Sequence, residues 1–343
     1  MRAGGLASRP IITLHVPVFP SHHFPQPQFR GLWCVAAKGS LMLARLQQGI
    51  VFSLLMLLAA WLYAARGWPF WVGLAGVVAL ASAHAVFLAF EFLLMHAVNR
   101  GDPAPRAGWW ALVRAWAKES LTAPRVFLWQ QPMRSNRWPD HLPVARAGQP
   151  AARRGVVFVH GFVCNRGLWN PWLERLTRED RAFCAVNLEP VFGSIDAYVP
   201  IIDAAVRRVT EATGLPPLVV CHSMGGLGVR AWLRARQADA RVAQVVTLGS
   251  PHHGTWLARF SFVTNASQMR TDSRWLAQLR RDEPADRAAL FTCYFASCDN
   301  IVFPASSAVL PGARQVLLTG VAHVDMAFVP PVMDEVLALL DAP

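Results

Sequence analysis

Leu218-Val219-Val220-Cys221-His222-Ser223-Met224-Gly225 sets a serine between an apolar run and a helix-like stretch, Leu227 to Arg236. Strand, tight turn and helix in that order give a small-x-Ser-x-Gly match its chemical meaning. The turn pushes the Ser223 hydroxyl out beyond the end of a sheet, where a base can reach it. The backbone N–H of Met224 then falls at a helix N-terminus, the positive end of the dipole, where developing negative charge is stabilised.

The same alternation extends in both directions. Apolar strand-like runs occur at Val156–Val159, Phe183–Leu188, Leu218–Val220, Val242–Leu248, Leu290–Ala296 and Gln315–Leu318. Helical stretches separate them, among them Trp169–Leu176, Ala197–Thr213, Gly226–Arg236 and Pro331–Leu340. Near-continuous apolar strands alternating with helices predict an α/β fold, a mostly parallel sheet covered on both faces. Ligands of such sheets bind beyond the carboxyl ends of the strands. Those ends carry His160-Gly161-Phe162, Ser223, Ser297-Cys298-Asp299 and Gly320-Val321-Ala322-His323.

With Leu248-Gly249-Ser250-Pro251-His252-His253-Gly254-Thr255, these segments resemble the bacterial lipase and esterase branch of the α/β-hydrolase superfamily, over roughly residues 155–340. The chain order Ser, Asp, His is that of the superfamily. The resemblance implies Ser223 as nucleophile, His323 as base and Asp299 as the acid that orients it. It implies the backbone N–H groups of Phe162 and Met224 as oxyanion donors, with no metal or organic cofactor. A serine hydroxyl needs such an adjacent base at neutral pH. Cys221 stands where glycine is commoner, upstream on the strand side, and is not read as the nucleophile. Asp325 is a rival acid that shares a loop with His323. His160 is expected to order the oxyanion loop, and His252 or His253 either to line the acyl site or to be structural. Asp196 reads as a helix cap. Residues 256–289 are too long for a plain loop and suit a helical cap over an apolar substrate.

Ahead of this catalytic part, residues 155–343, the composition changes. Residues 1–41, rich in proline, histidine and scattered basic residues, read as disordered or untranslated, with Met42 a natural start. Two uncharged runs, about 46–65 and 68–90, are each long enough to cross a bilayer, and the short turn between them makes a hairpin spanning 42–100. Residues 101–154 form a basic, partly amphipathic linker, in which Trp109–Lys118 either lies in the membrane interface or packs on the enzyme. His84, inside the second run, is expected to face the partner helix as a neutral imidazole.

The net charge of +12 lies entirely in the first 155 residues, since residues 156–343 hold 17 basic and 17 acidic groups. That distribution fits an anionic cytoplasmic leaflet and excludes a nucleic-acid groove. The positive-inside rule then places both termini and the catalytic part in the cytoplasm, at the inner membrane. The six cysteines lack metal spacing and read as free thiols.

A membrane-anchored hydrolase of lipid or acyl esters is the function these features predict. An acyltransferase or thioesterase uses the same triad, and an inactive hydrolase-fold scaffold is the alternative of another class. A fragment beginning near residue 125 is expected to be soluble and still active on short esters.

Overall fold

The computed structural model describes residues 12–14, 42–143 and 153–341. A short strand β1 (Ile12–Leu14) lies inside the segment read as disordered or untranslated, and the rest of that segment is outside the described residues. Helices α1 (Met42–Ala64) and α2 (Phe70–Val98) follow, joined by one 3-10 turn and Pro69. Both are long and apolar enough to cross a membrane. Phe52, Met56, Trp71, Phe87 and Phe90 stand exposed on them, so they are not core helices. They touch as a hairpin: the Trp61 indole donates to the Gly73 carbonyl at 2.9 Å and packs over Gly76, where any side chain would collide with the ring.

Helix α3 (Trp109–Pro124) turns back along α2. Trp116 donates to the Ala85 carbonyl, and Trp109 meets His96. His84 therefore meets the Ser120 carbonyl of α3 at 2.8 Å rather than the partner helix of the hairpin. Leu112, Ala115 and Glu119 are buried, so α3 is a packing helix, although Trp110 and Leu121 remain exposed on its outer side. The short α4 (Gln131–Arg134) completes this region.

Six further strands, all predicted, form the sheet: β2 (Val156–Val159), β3 (Phe183–Ala185), β4 (Leu218–His222), β5 (Gln244–Leu248), β6 (Phe291–Ala296) and β7 (Arg314–Leu318). These strands pair in parallel, in the order β1-β7-β6-β5-β4-β2-β3, and His141 adds one antiparallel bridge to Phe183 of β3. Alternate residues point to opposite faces, and both faces are buried. Val157, Val159, Val219 and Cys221 join one core with α6 (Val199–Thr213) and α7 (Met224–Arg236). Val156, Phe158, Leu218 and Val220 join the other with α5 (Asn170–Arg178) and α10 (Pro330–Ala338). This is why the strands read as unbroken apolar runs. The α/β-hydrolase fold class is as expected.

The excursion between β5 and β6 carries α8 (Thr264–Gln268) and α9 (Arg274–Asp282). It is pinned to α7 by the fully buried Arg230, whose guanidinium grips both oxygens of Glu283, at 2.8 and 2.6 Å. The Trp275 indole donates to Asp196, which also pairs with Arg234. Asp196 is thus not a cap: Ser194 caps that turn.

Candidate active site

The chain runs β2, outward to β3, then back across to β4, so strand order reverses between β2 and β4. A crevice opens at such a reversal. The register Val159↔Cys221 and His222↔Leu248 ends the central strands level, and Gly161, Ser223 and Gly249 emerge beside one another. Glycine is required at two of these positions by close approach. A Cβ on Gly161 would lie 2.7 Å from the Ser223 Cβ. One on Gly249, already at φ 59°, would lie 2.9 Å from Asp299 Oδ2 and 3.2 Å from His323 Nδ1. A Cβ on Gly225, the second residue of α7, would lie 2.4 Å from the Val159 carbonyl, so its lack of a side chain lets the helix start sit on the end of β2.

Ser223 adopts φ 54° and ψ −128°, a conformation that side-chain-bearing residues rarely hold, between β4 and the first turn of α7. Its N–H donates to the Leu248 carbonyl at 2.9 Å, which helps hold the strained turn. Met224 begins the helix as expected, and Phe162 follows the glycine that touches Ser223. Ser223 and His323 are both buried.

Asp299, two residues past Ser297 at the end of β6, and His323, after β7, meet. The His323 Nδ1 stands 2.9 Å from one Asp299 oxygen and 3.0 Å from the other. Asp299 Oδ1 also accepts from the N–H groups of Ile301 and Val302, at 3.0 and 2.7 Å, which fixes the carboxylate plane. Burial alone pushes the His323 imidazole down, but the carboxylates of Asp299, Glu119 and Glu91 outweigh it and hold it above the usual histidine range. His222, the residue before Ser223, faces His323 with ring centroids 4.6 Å apart and donates from Nε2 to the His323 carbonyl. Serine, imidazole and carboxylate therefore share one rim of the sheet.

Asp325 turns away from this group. Its carboxylate takes Lys118 at 3.0 Å and Thr122 at 2.8 Å, both on α3. His160 donates from Nδ1 to the Gly161 carbonyl and accepts at Nε2 from Leu188 N–H, tying the Gly161–Phe162 turn to the chain beyond β3. His252 sits in the core between β5 and β6, against Thr247, Cys293 and Phe291, and so does not line an acyl site. Half-buried His253 approaches Arg280 of α9. Cys221 is buried, and burial raises its thiol well above the usual range, so it is no nucleophile. Cys164, Cys184, Cys221, Cys293 and Cys298 are free thiols. Among the described residues no cluster of metal-ligating side chains occurs.

The residues that sequence reasoning missed are Asn300, Glu91 and Glu119, which brace the His323 loop from behind. Glu91 carried a signal, as the one acid in the first 100 residues.

Burial holds His160 near 4 and His222 near 3, and pushes His252 well down. The unfolded chain takes up these protons near pH 6.5 while the folded one does not, so they lower stability as pH falls. Glu119, raised to about 7 by burial and by Asp325, acts in the opposite sense between pH 7 and 4.5. Three histidines outweigh one carboxyl. The thermal midpoint in detergent is expected to fall steadily from pH 6.5 toward 4.5, and a flat or rising midpoint there would contradict these burials.

The sheet order and the placing of the strand ends are those of the α/β-hydrolase fold. No protein-family profile matches the chain. It is similar to the mature form of a Bacillus licheniformis lipase, with a TM-score of 0.50 and 19% identity over 58% of this chain and 96% of that one. The propeptide form of the same lipase matches with a TM-score of 0.50 and 20% identity, over 59% of this chain and 52% of that one. At these identities the likeness speaks to fold, and the chemistry must come from the site.

Proposed function

We propose that this protein is a membrane-anchored serine hydrolase of carboxylic esters, acting on lipid or acyl substrates through an acyl-enzyme. One observation carries the reading: Asp299 grips His323 Nδ1 at the rim of the sheet where the strained Ser223 emerges. With Nδ1–H donated to Asp299, the His323 Nε2 is left with its lone pair and can take the Ser223 proton as Oγ attacks the ester carbonyl. The proton then passes to the leaving alkoxide, and water releases the acyl group by the same steps. Asp299 holds the tautomer and stabilises the imidazolium. The backbone N–H groups of Phe162 and Met224 would hold the oxyanion, each contributing about 3–4 kcal/mol to the transition state.

The apolar hairpin supports the membrane assignment, and its flanking basic residues support a cytoplasmic catalytic side at the inner membrane, facing an anionic leaflet. Tethering holds the site where acyl chains are concentrated. The lipase activity named for the Bacillus licheniformis protein is in keeping with this.

A fluorophosphonate probe tests the proposal. Labelling is expected on the full-length protein in detergent, to map to the peptide containing Ser223, and to vanish in Ser223→Ala. A folded protein that takes no label would point instead to an inactive scaffold.

A further inference from the structure

The loop that carries His323 is not held by the catalytic sheet alone. Its backbone reaches three acceptor oxygens, one on Asn300 after β6 and two on Glu119 of α3. His323 N–H donates to Asn300 Oδ1 at 3.3 Å, and Asn300 Nδ2 donates in turn to Glu91 Oε2 of α2 at 2.9 Å. Val324 and Asp325 donate their N–H groups to the two oxygens of Glu119 of α3, at 3.0 and 3.2 Å. Glu119 and Asn300 are each 1% exposed.

These contacts have a simple physical requirement behind them. A 3-10 turn begins at Asp325, and its leading N–H groups have no partner within the turn. Two neighbouring buried donors aimed the same way need an acceptor with two oxygens. An orphaned buried N–H costs about 1–3 kcal/mol, enough to let the loop shift. Lys118 and Thr122 hold the Asp325 side chain from the same face of α3, one turn apart along it.

Resting on the triad reading above, we propose that Glu119 and Glu91 are positioning residues for the catalytic base. From α3 and α2 they fix the backbone of His323, Val324 and Asp325, so that the membrane-anchor side of the chain completes the active site. The groups facing Glu119 are His323 and Asp325 from the loop after β7; on its own helix, Lys118 pairs with that Asp325. His323 is also faced by Asp299, Glu91 and His222. Above about pH 7, where it is ionised, Glu119 is thus a second anion close to the imidazole, and removing it makes the imidazolium easier to deprotonate.

The test uses the full-length protein in detergent micelles with a short p-nitrophenyl ester, and compares Glu119→Gln, Glu91→Gln and the surface control Glu174→Gln. Glu119→Gln keeps the size of the side chain but has one acceptor oxygen for two donors. Its kcat is expected to fall on the order of 10-fold, since small misplacement of a catalytic group costs up to about 100-fold. KM should stay unchanged, and the acid limb of kcat/KM should move to lower pH. Glu91→Gln still accepts from Asn300, so it should move the limb the same way with a smaller loss of kcat.

A purely structural role would leave the pH limb in place. Folded variants with wild-type kcat and an unmoved limb overturn the proposal, as does loss of folding in both variants while the control folds. If Glu119→Gln alone fails to fold, Glu91→Gln decides by the same readouts. A wild type without Ser223-dependent turnover would instead sink the hydrolase reading itself.

Discussion

Asp299→Asn is expected to lower kcat by about 10⁴-fold while the protein stays folded, the loss that follows when a triad histidine is held in the wrong tautomer. The contacts around Asp299 leave an amide no good arrangement. One oxygen accepts from Ile301 and Val302 while both stand within 3.0 Å of His323 Nδ1. An asparagine can turn its oxygen to the backbone and its NH₂ to the histidine, or the reverse. The first forces the Nδ1 lone pair toward the amide and puts the proton on Nε2, where the base must be empty. The second sets an NH₂ against two N–H donors. Asp325→Asn should act differently, because that carboxylate binds Lys118 and Thr122 and not the imidazole. Its cost is expected in the thermal midpoint, with kcat lowered less than 10-fold. Single-turnover acylation rates of the two variants decide, and the reverse ranking would transfer the role of acid to Asp325.

Why the sheet could be read from sequence and its supports could not has a physical cause. Each central strand is buried on both faces, so burial writes itself as a short unbroken apolar run, and the register then places every strand-end residue at one rim. Where a run overshoots, the partner explains it. Phe183–Leu188 is apolar through Val186, yet β3 stops at Ala185 because β2 ends at Val159, and one bond from Val186 N–H to Phe158 closes the ladder. Ile12–Leu14 carried no such signal. Three residues among prolines and histidines become a strand only because the edge of β7 offers them a ladder. The choice between Asp299 and Asp325 was open to position along the chain, since only Asp299 follows its own strand end. Glu91 and Glu119 were not open to that argument. Their partners lie more than 200 residues away, and nothing local to an apolar span or a basic helix announces that a carboxylate will cap a distant loop.

Those distant pairings set the second large expectation. A fragment beginning near residue 125 is expected to lose at least about 100-fold of Ser223-dependent turnover and to aggregate, contrary to the independence that the sequence suggested. Cutting there removes α1, α2 and α3 together. Phe92, Met95 and Leu112 leave a cluster shared with Cys298, Phe303 and Ala322, each taking roughly 1.5–3 kcal/mol of burial with it. The residues left bare flank Asp299 and His323. On the other side of the crevice, Gln47 of α1 donates to Gln131, and both accept from Asn165, three residues beyond Phe162. Deletion breaks that buried network as well, so the Gly161–Phe162 turn and the His323 loop lose their supports together. Adding detergent should keep the fragment dispersed without restoring turnover, because a micelle covers apolar surface but offers no acceptor to the N–H groups of Val324 and Asp325. Fluorophosphonate labelling rates for the fragment and the full chain, measured in the same micelles, provide the comparison. A dispersed fragment that labels as fast as the full chain would show that the sheet alone holds the site, and would reduce the hairpin to a tether.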